Sequence, residues 1–138
     1  MIEKLKKYVS NYDINNDKIK SKLEHSIRVM ELSKKYAKIL KFNEEDIILA
    51  SQIGLLHDIG RFEQVKLNNT FNDLVSFDHA NLGVKILFED NVINEFNIKD
   101  NHEIIKKAIR NHNKYEIEPN LTERELLHAR LIRDIDKI

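Results

Sequence analysis

Almost nothing in this chain can stop a helix. Three glycines and one proline are spread over 138 residues, and those are the residue types that break or kink helices most strongly. No stretch shows the sustained alternation of a half-buried strand. The chain therefore reads as all-α, a bundle of about six helices. Its length suits one domain, residues 1–138, with a single core.

Helix signals divide the chain. A short helix is expected from Ile2 to Ser10, followed by a turn at Asn11–Asn16. A long one follows from Asp17 to Lys41. Asn43, with Glu44, Glu45 and Asp46 behind it, has the form of an N-cap and acidic first turn. That helix is expected to reach Asp58 and to end near Gly60, leaving Arg61–Phe77 as the least regular region. Asp78 caps a helix over His79–Glu89, and Asp100 or Asn101 starts another that reaches His112. Thr122-Glu123-Arg124-Glu125 has the capping-box form and opens the last helix, which runs to the chain end.

Composition narrows the chemistry. Hydrophobic residues at 41% and charged residues at 33% place the chain among globular proteins. Lys+Arg and Asp+Glu both number 23, so no basic excess points to bulk nucleic-acid binding. With no cysteine, a metal must be held by nitrogen and oxygen, which suits Fe, Mn, Ni, Co, Zn or Mg. Met1–Ser10 carries Glu3, Lys4, Lys6 and Lys7 without the apolar run of a signal peptide. No run approaches the ~18 apolar residues of a membrane span. A cytoplasmic protein is the expectation, and its oligomeric state is left open.

His57 and Asp58 are adjacent, at the end of an apolar helical run, and four more candidate ligands lie at wide spacing: His25, His79, His112 and Asp136. A ligand inside a bundle must lie on the apolar stripe of its helix. His25 is in register with Val29, Leu32 and Tyr36; His57 with Ile47, Ala50 and Gly54; Asp58 with Gly54 and Ser51. His79 lines up with Leu82, Gly83 and Ile86; His112 with Ile105, Ala108 and Ile109; Asp136 with Ala129 and Ile132. A lone inward histidine is more often a hydrogen-bonded core residue than a ligand. Four histidines and two aspartates pointing inward together are hard to satisfy without a cation. His102, in a polar first turn, reads as surface, and His128, on an apolar line, has no evident complementary ligand.

These residues resemble the HD superfamily of metal-dependent phosphohydrolases over nearly the whole chain, from Leu23 to Lys137. LEHSIRVMELSKKYA is similar to its first ligand helix, GLLHDIGRFEQ to its His-Asp segment and LIRDIDKI to its closing helix. His79 and His112 extend the likeness to the H…HD…H…H…D variant. The resemblance implies a single HD domain with one or two divalent ions. His25, His57, Asp58 and Asp136 would hold one ion; His79 and His112 would hold a second, with Asp58 bridging. Asp134 also sits on an apolar line, and the family's Asp-x-Asp-Lys pattern favours Asp136. The chain stops two residues after Asp136, where relatives usually continue, so a truncated chain or an unusually open pocket is expected.

The activity implied is hydrolysis of a small phosphate ester, a nucleotide for example, by a metal-activated water at a binuclear site. Asp58 would serve the chemistry directly. Arg61 and then Lys66 are the first candidates for binding the phosphoryl oxygens, with Arg28 and Arg133 behind them. Phe62, Phe71 and Phe77 read as packing residues. Two alternatives share the residues: a di-iron oxygenase of the inositol-oxygenase type, with the same ligand order, and a non-catalytic nucleotide-binding HD module. The cyclic-di-GMP branch is disfavoured, since Pro119, the one proline, follows Glu118 and no Gly-Tyr-Pro element exists.

Overall fold

Short polar side chains set where the helices begin. Asn16, Asn43, Asp78 and Thr122 each accept a hydrogen bond from a backbone N–H of the following turn, and Thr122 with Glu125 closes a full capping box. A computed structural model describes residues 1–74 and 78–138. Its elements are α1 (Ile2–Val9), α2 (Asp17–Ile39), α3 (Glu44–Leu56), α4 (Gly60–Asn68), α5 (His79–Val84), α6 (His102–Asn111) and α7 (Glu123–Asp136). A π-helical turn, Lys85–Glu89, extends α5, and a 3-10 turn, Val92–Phe96, leads toward α6. Among the described residues there is no strand, and no helix is long and apolar enough to cross a membrane. The fold is all-α.

The most extensive packing is between α2 and α3, followed by α6 with α7. The first pair is close because Gly54 has no side chain: a Cβ there would lie 2.8 Å from Ser33 Oγ and 3.0 Å from the backbone of Met30. Leu5, Leu56, Phe62, Leu87, Ile105 and Ile109 are fully buried in one continuous core. Burying a ring such as Phe62 contributes on the order of 2 kcal/mol.

One expectation is corrected. Arg61–Phe77 is not irregular throughout, because Gly60–Asn68 forms α4, which buries Phe62 and Val65. Gly60 had the look of a helix stop, yet its φ is not positive. It is glycine for space: a Cβ at Gly60 would fall 2.2 Å from His79 O and 2.7 Å from Gly83 N. The close contact lets the start of α4 press against α5. The residue that ends α4 is Asn69, in the left-handed region at φ 49°. Phe77 lies outside the described residues.

Candidate metal centre

Five of the six candidate ligands sit at helix ends. His57 is the C-cap of α3 and Asp58 follows it; His112 is the C-cap of α6; Asp136 closes α7; His79 opens α5. His25 comes from within α2. The C-terminal ends of α3, α6 and α7 thus converge, and their dipoles favour positive charge between them.

The structure brings all six together, in two groups that share Asp58: His25, His57, Asp58 and Asp136, and Asp58, His79 and His112. Asp58 divides its oxygens between them. Oδ2 lies 3.5 Å from His25 Nε2 and 3.3 Å from His57 Nε2. Oδ1 lies 3.1 Å from His79 Nε2 and 3.3 Å from His112 Nε2. Asp136 Oδ1 completes the first group at 3.0 Å from His25 Nε2 and 3.1 Å from His57 Nε2. Donor atoms bound to one ion at about 2.1 Å, with angles of 90–109°, lie about 3.0–3.4 Å apart. Five of the six spacings fall at those values, and His25 Nε2 to Asp58 Oδ2, at 3.5 Å, lies just beyond them.

Proton bookkeeping provides a second test of fit. His57 Nδ1 donates to Gly54 O at 2.7 Å and His112 Nδ1 to Ile109 O at 2.6 Å, each to a carbonyl in the last turn of its own helix. His79 Nδ1 donates to Asp73 Oδ2 at 2.8 Å. With Nδ1 committed, all three rings turn Nε2 to the centre, the arrangement in which metal-ligating histidines are held. His79 Nε2 and His112 Nε2 are then only 3.0 Å apart. Two facing lone pairs at that distance need a proton or a metal cation beside them. Burial holds His112 below the usual histidine range, which disfavours a second proton on that ring.

In the first group, burial would lower His57, but the Asp58 and Asp136 carboxylates outweigh it and push it up to about 10. Burial likewise pushes Asp58 and Asp136 up, and the surrounding histidines overcome this and hold both below the usual carboxylate range. A proton on His57 stands where a metal would displace it. His25 differs: its Nδ1 accepts from Arg28 Nη2 at 3.1 Å, so its Nε2 carries the proton given to Asp136. Ligation through Nε2 requires that proton to leave and Arg28 to release the ring.

The remaining candidates fall elsewhere. Asp134 is exposed beside Arg133, 3.8 Å away, while Asp136 faces the cluster. Arg61 Nη1 donates to Asp73 Oδ1, Gln64 Oε1 and Phe71 O, so its guanidinium holds the loop that carries Asp73. Lys66 is exposed, 6.0 Å from the centre of the Tyr12 ring, in a hollow that includes none of the six ligands. Arg133 donates to Tyr115 O at 3.3 Å. Phe62 is fully buried and Phe71 half-buried against the core. His102 is half-buried rather than surface, bonded to Ile98 O at 2.7 Å.

Three partners were not anticipated from the sequence. Lys22 Nζ lies 2.9 Å from Asp58 Oδ2; its position three residues before His25, on the same helix face, was the available signal. Asp73, which orients His79, comes from a loop and carries no periodic signal. Asp46 accepts from His128 Nε2 at 2.9 Å and from Arg124 Nε at 2.8 Å, giving His128 the partner it lacked.

A family model described as HD domain matches residues 23–138. The chain belongs to the HD-domain family. HD domains are in general metal-dependent phosphohydrolases, and the His/Asp groups of this HD domain are able to hold a divalent ion. Comparison with curated proteins and with solved structures gave no match.

Proposed function

We propose that this HD domain is a binuclear phosphohydrolase cleaving a small phosphate ester, such as a nucleotide. His25, His57, Asp58 and Asp136 hold one ion, and His79, His112 and the other oxygen of Asp58 hold the second. The observation that carries the reading is the division of Asp58, with each oxygen facing its own pair of Nε2 atoms. Two bound divalent ions would polarise the phosphoryl oxygens and lower the pKa of a water into the physiological range.

The chain's own residues do the rest. His57, His79 and His112 keep their Nε2 atoms aimed at the centre because Gly54 O, Asp73 and Ile109 O retain the Nδ1 protons. Asp73 is held in turn by Arg61 and Gln64, at 3.0 and 2.7 Å. Arg61 is a positioning residue in this arrangement, acting through Asp73, and Lys66 plays no part at the centre. His25 and Asp136 have the more accessible side chains, 20% and 26% exposed against 0–4% for the other four. Substrate enters on their side.

Metal analysis of protein purified without added metal, joined to a phosphate-release screen over nucleotides and simple esters with Mn, Fe, Ni and Mg, tests the reading. Phosphate release that disappears in Asp58→Ala supports it. Substrate consumption that requires oxygen and yields no phosphate replaces it with the oxygenase alternative.

A further inference from the structure

Lys22 is the cation in direct contact with a carboxylate of the centre among the described residues, and its surroundings are peculiar. Its side chain is only 16% exposed. Asp58 Oδ2, at 2.9 Å, is its hydrogen-bond partner among the described residues, and an ammonium carries three N–H donors. Among the described residues two donors are therefore left over, on the side of Asp58 that faces His25. The Phe71 ring centre is 5.1 Å from Lys22 Nζ, and Phe71 is itself held by Arg61 through its carbonyl. Lys22 is thus steered by an aromatic neighbour toward the centre rather than left to solvent.

Among the described residues, the arginines near the site direct their hydrogen bonds elsewhere than Asp58. Arg61 turns its Nη1 to Asp73, Gln64 and Phe71 O, away from Asp58. Arg28 is exposed and leans on His25. Lys22 also contacts the same oxygen, Oδ2, that faces His25 and His57. Its ammonium and a divalent ion compete for that oxygen's charge.

We propose that Lys22 is the phosphate-binding residue of this centre, a role that rests on the phosphohydrolase reading. In the free protein its ammonium partly neutralises Asp58. With metal present it is repelled from Oδ2 and its spare N–H groups engage a non-bridging oxygen of the substrate phosphate. This assigns opposite signs to one side chain: it weakens metal binding and strengthens phosphate binding. A residue that merely braced Asp58 would strengthen both.

The test uses Lys22→Met and Lys22→Arg in the full chain, with calorimetric titration of Mn²⁺ into metal-free protein. It then measures inorganic phosphate binding to the Mn²⁺-loaded protein and KM and kcat for para-nitrophenyl phosphate. Lys22→Met should bind Mn²⁺ more tightly and inorganic phosphate about 10- to 100-fold more weakly, the loss of one charge-assisted hydrogen bond. KM should rise more than kcat falls, and Lys22→Arg should restore most of the phosphate affinity. Weaker Mn²⁺ binding in Lys22→Met, or unchanged phosphate affinity, overturns the proposal. If the wild-type protein hydrolyses no ester, the functional reading fails separately, while the two binding titrations still decide the role of Lys22.

Discussion

Two places in this bundle join buried histidine to buried aspartate, and they are built to opposite ends. At Asp46 the charges close within the protein. His128 Nε2 and Arg124 Nε both donate to Asp46 Oδ1, and Arg124 also reaches Asn101 Oδ1 at 3.1 Å. Burial holds His128 below the usual histidine range, and its Nδ1 is a buried lone pair without a partner among the described residues, so the ring is neutral. At Asp58 the charges do not close: four Nε2 atoms and two carboxylates face one another, with Lys22 as the ammonium touching them. An inward His-Asp contact is therefore not itself a metal site. What sets the Asp58 cluster apart is convergence: three or more donor atoms face one another in each of two groups, whereas His128 Nδ1 is a single lone pair.

The largest test of that contrast is Asp58→Ala. It should lower phosphate release about a thousandfold or more, since it removes the residue shared by both candidate ligand groups, and should lower metal content as read by elemental analysis. Asp46→Ala should do the reverse. Leaving His128 and Arg124 without their shared acceptor should cost about 3 kcal/mol, lowering the melting temperature by about 10 °C. Metal content and activity per folded molecule should stay near wild type. A loss of metal in Asp46→Ala would erase the distinction between the two places.

Smaller effects sharpen the comparison within the centre. Asp73→Asn leaves His79 without its carboxylate partner and should weaken metal binding about 10- to 100-fold, measured by competition with a chelating dye. The loss should fall on the group of Asp58, His79 and His112 rather than on the group that contains His25. Gly60→Ala forces α4 away from His79 O and should cost about 2 kcal/mol in denaturant unfolding, because backbone rather than a flexible side-chain end stands in the way. Its metal loss should be partial, since His25 and Asp136 are carried by other helices.

The smallest effect is in pH. Burial pushes Asp46 up, but the hydrogen bonds from His128 and Arg124 prevail and hold its carboxyl below the usual carboxylate range. A depressed folded-state pKa adds stability above the unfolded value of 3.8, lost as pH falls through the folded value. The stability difference between wild type and Asp46→Asn should be level from pH 7 to about 5 and shrink below about 4, followed by urea unfolding. A difference that grows with acid would reverse the assignment.

Much of the frame was legible locally. Asn43, Asp78 and Thr122 are caps whose partners lie within three residues, so the chain text alone identifies them. The inward phase of His57 and His112 follows from the apolar residues a turn or two away. Gly60 was misread because a glycine that ends a helix and a glycine that admits a neighbouring backbone look alike in sequence. The backbone concerned, at His79 and Gly83, arrives from another helix. Asp46 and His128 are 82 positions apart, and Lys22 and Asp58 are 36 apart, so neither pairing had a local sign.

Scarce helix breakers, the spacing of apolar residues and the absence of cysteine determined an all-α chain whose inward nitrogen and oxygen donors suit a divalent ion. These are short-range properties, set by backbone preference and side-chain type. Tertiary structure alone decided how Asp58 shares its oxygens, and that Arg61 serves Asp73 while Lys22 stands at Asp58. Those outcomes depend on which helix ends meet, and electrostatic pairing at about 3 Å is settled only once packing has brought the groups together.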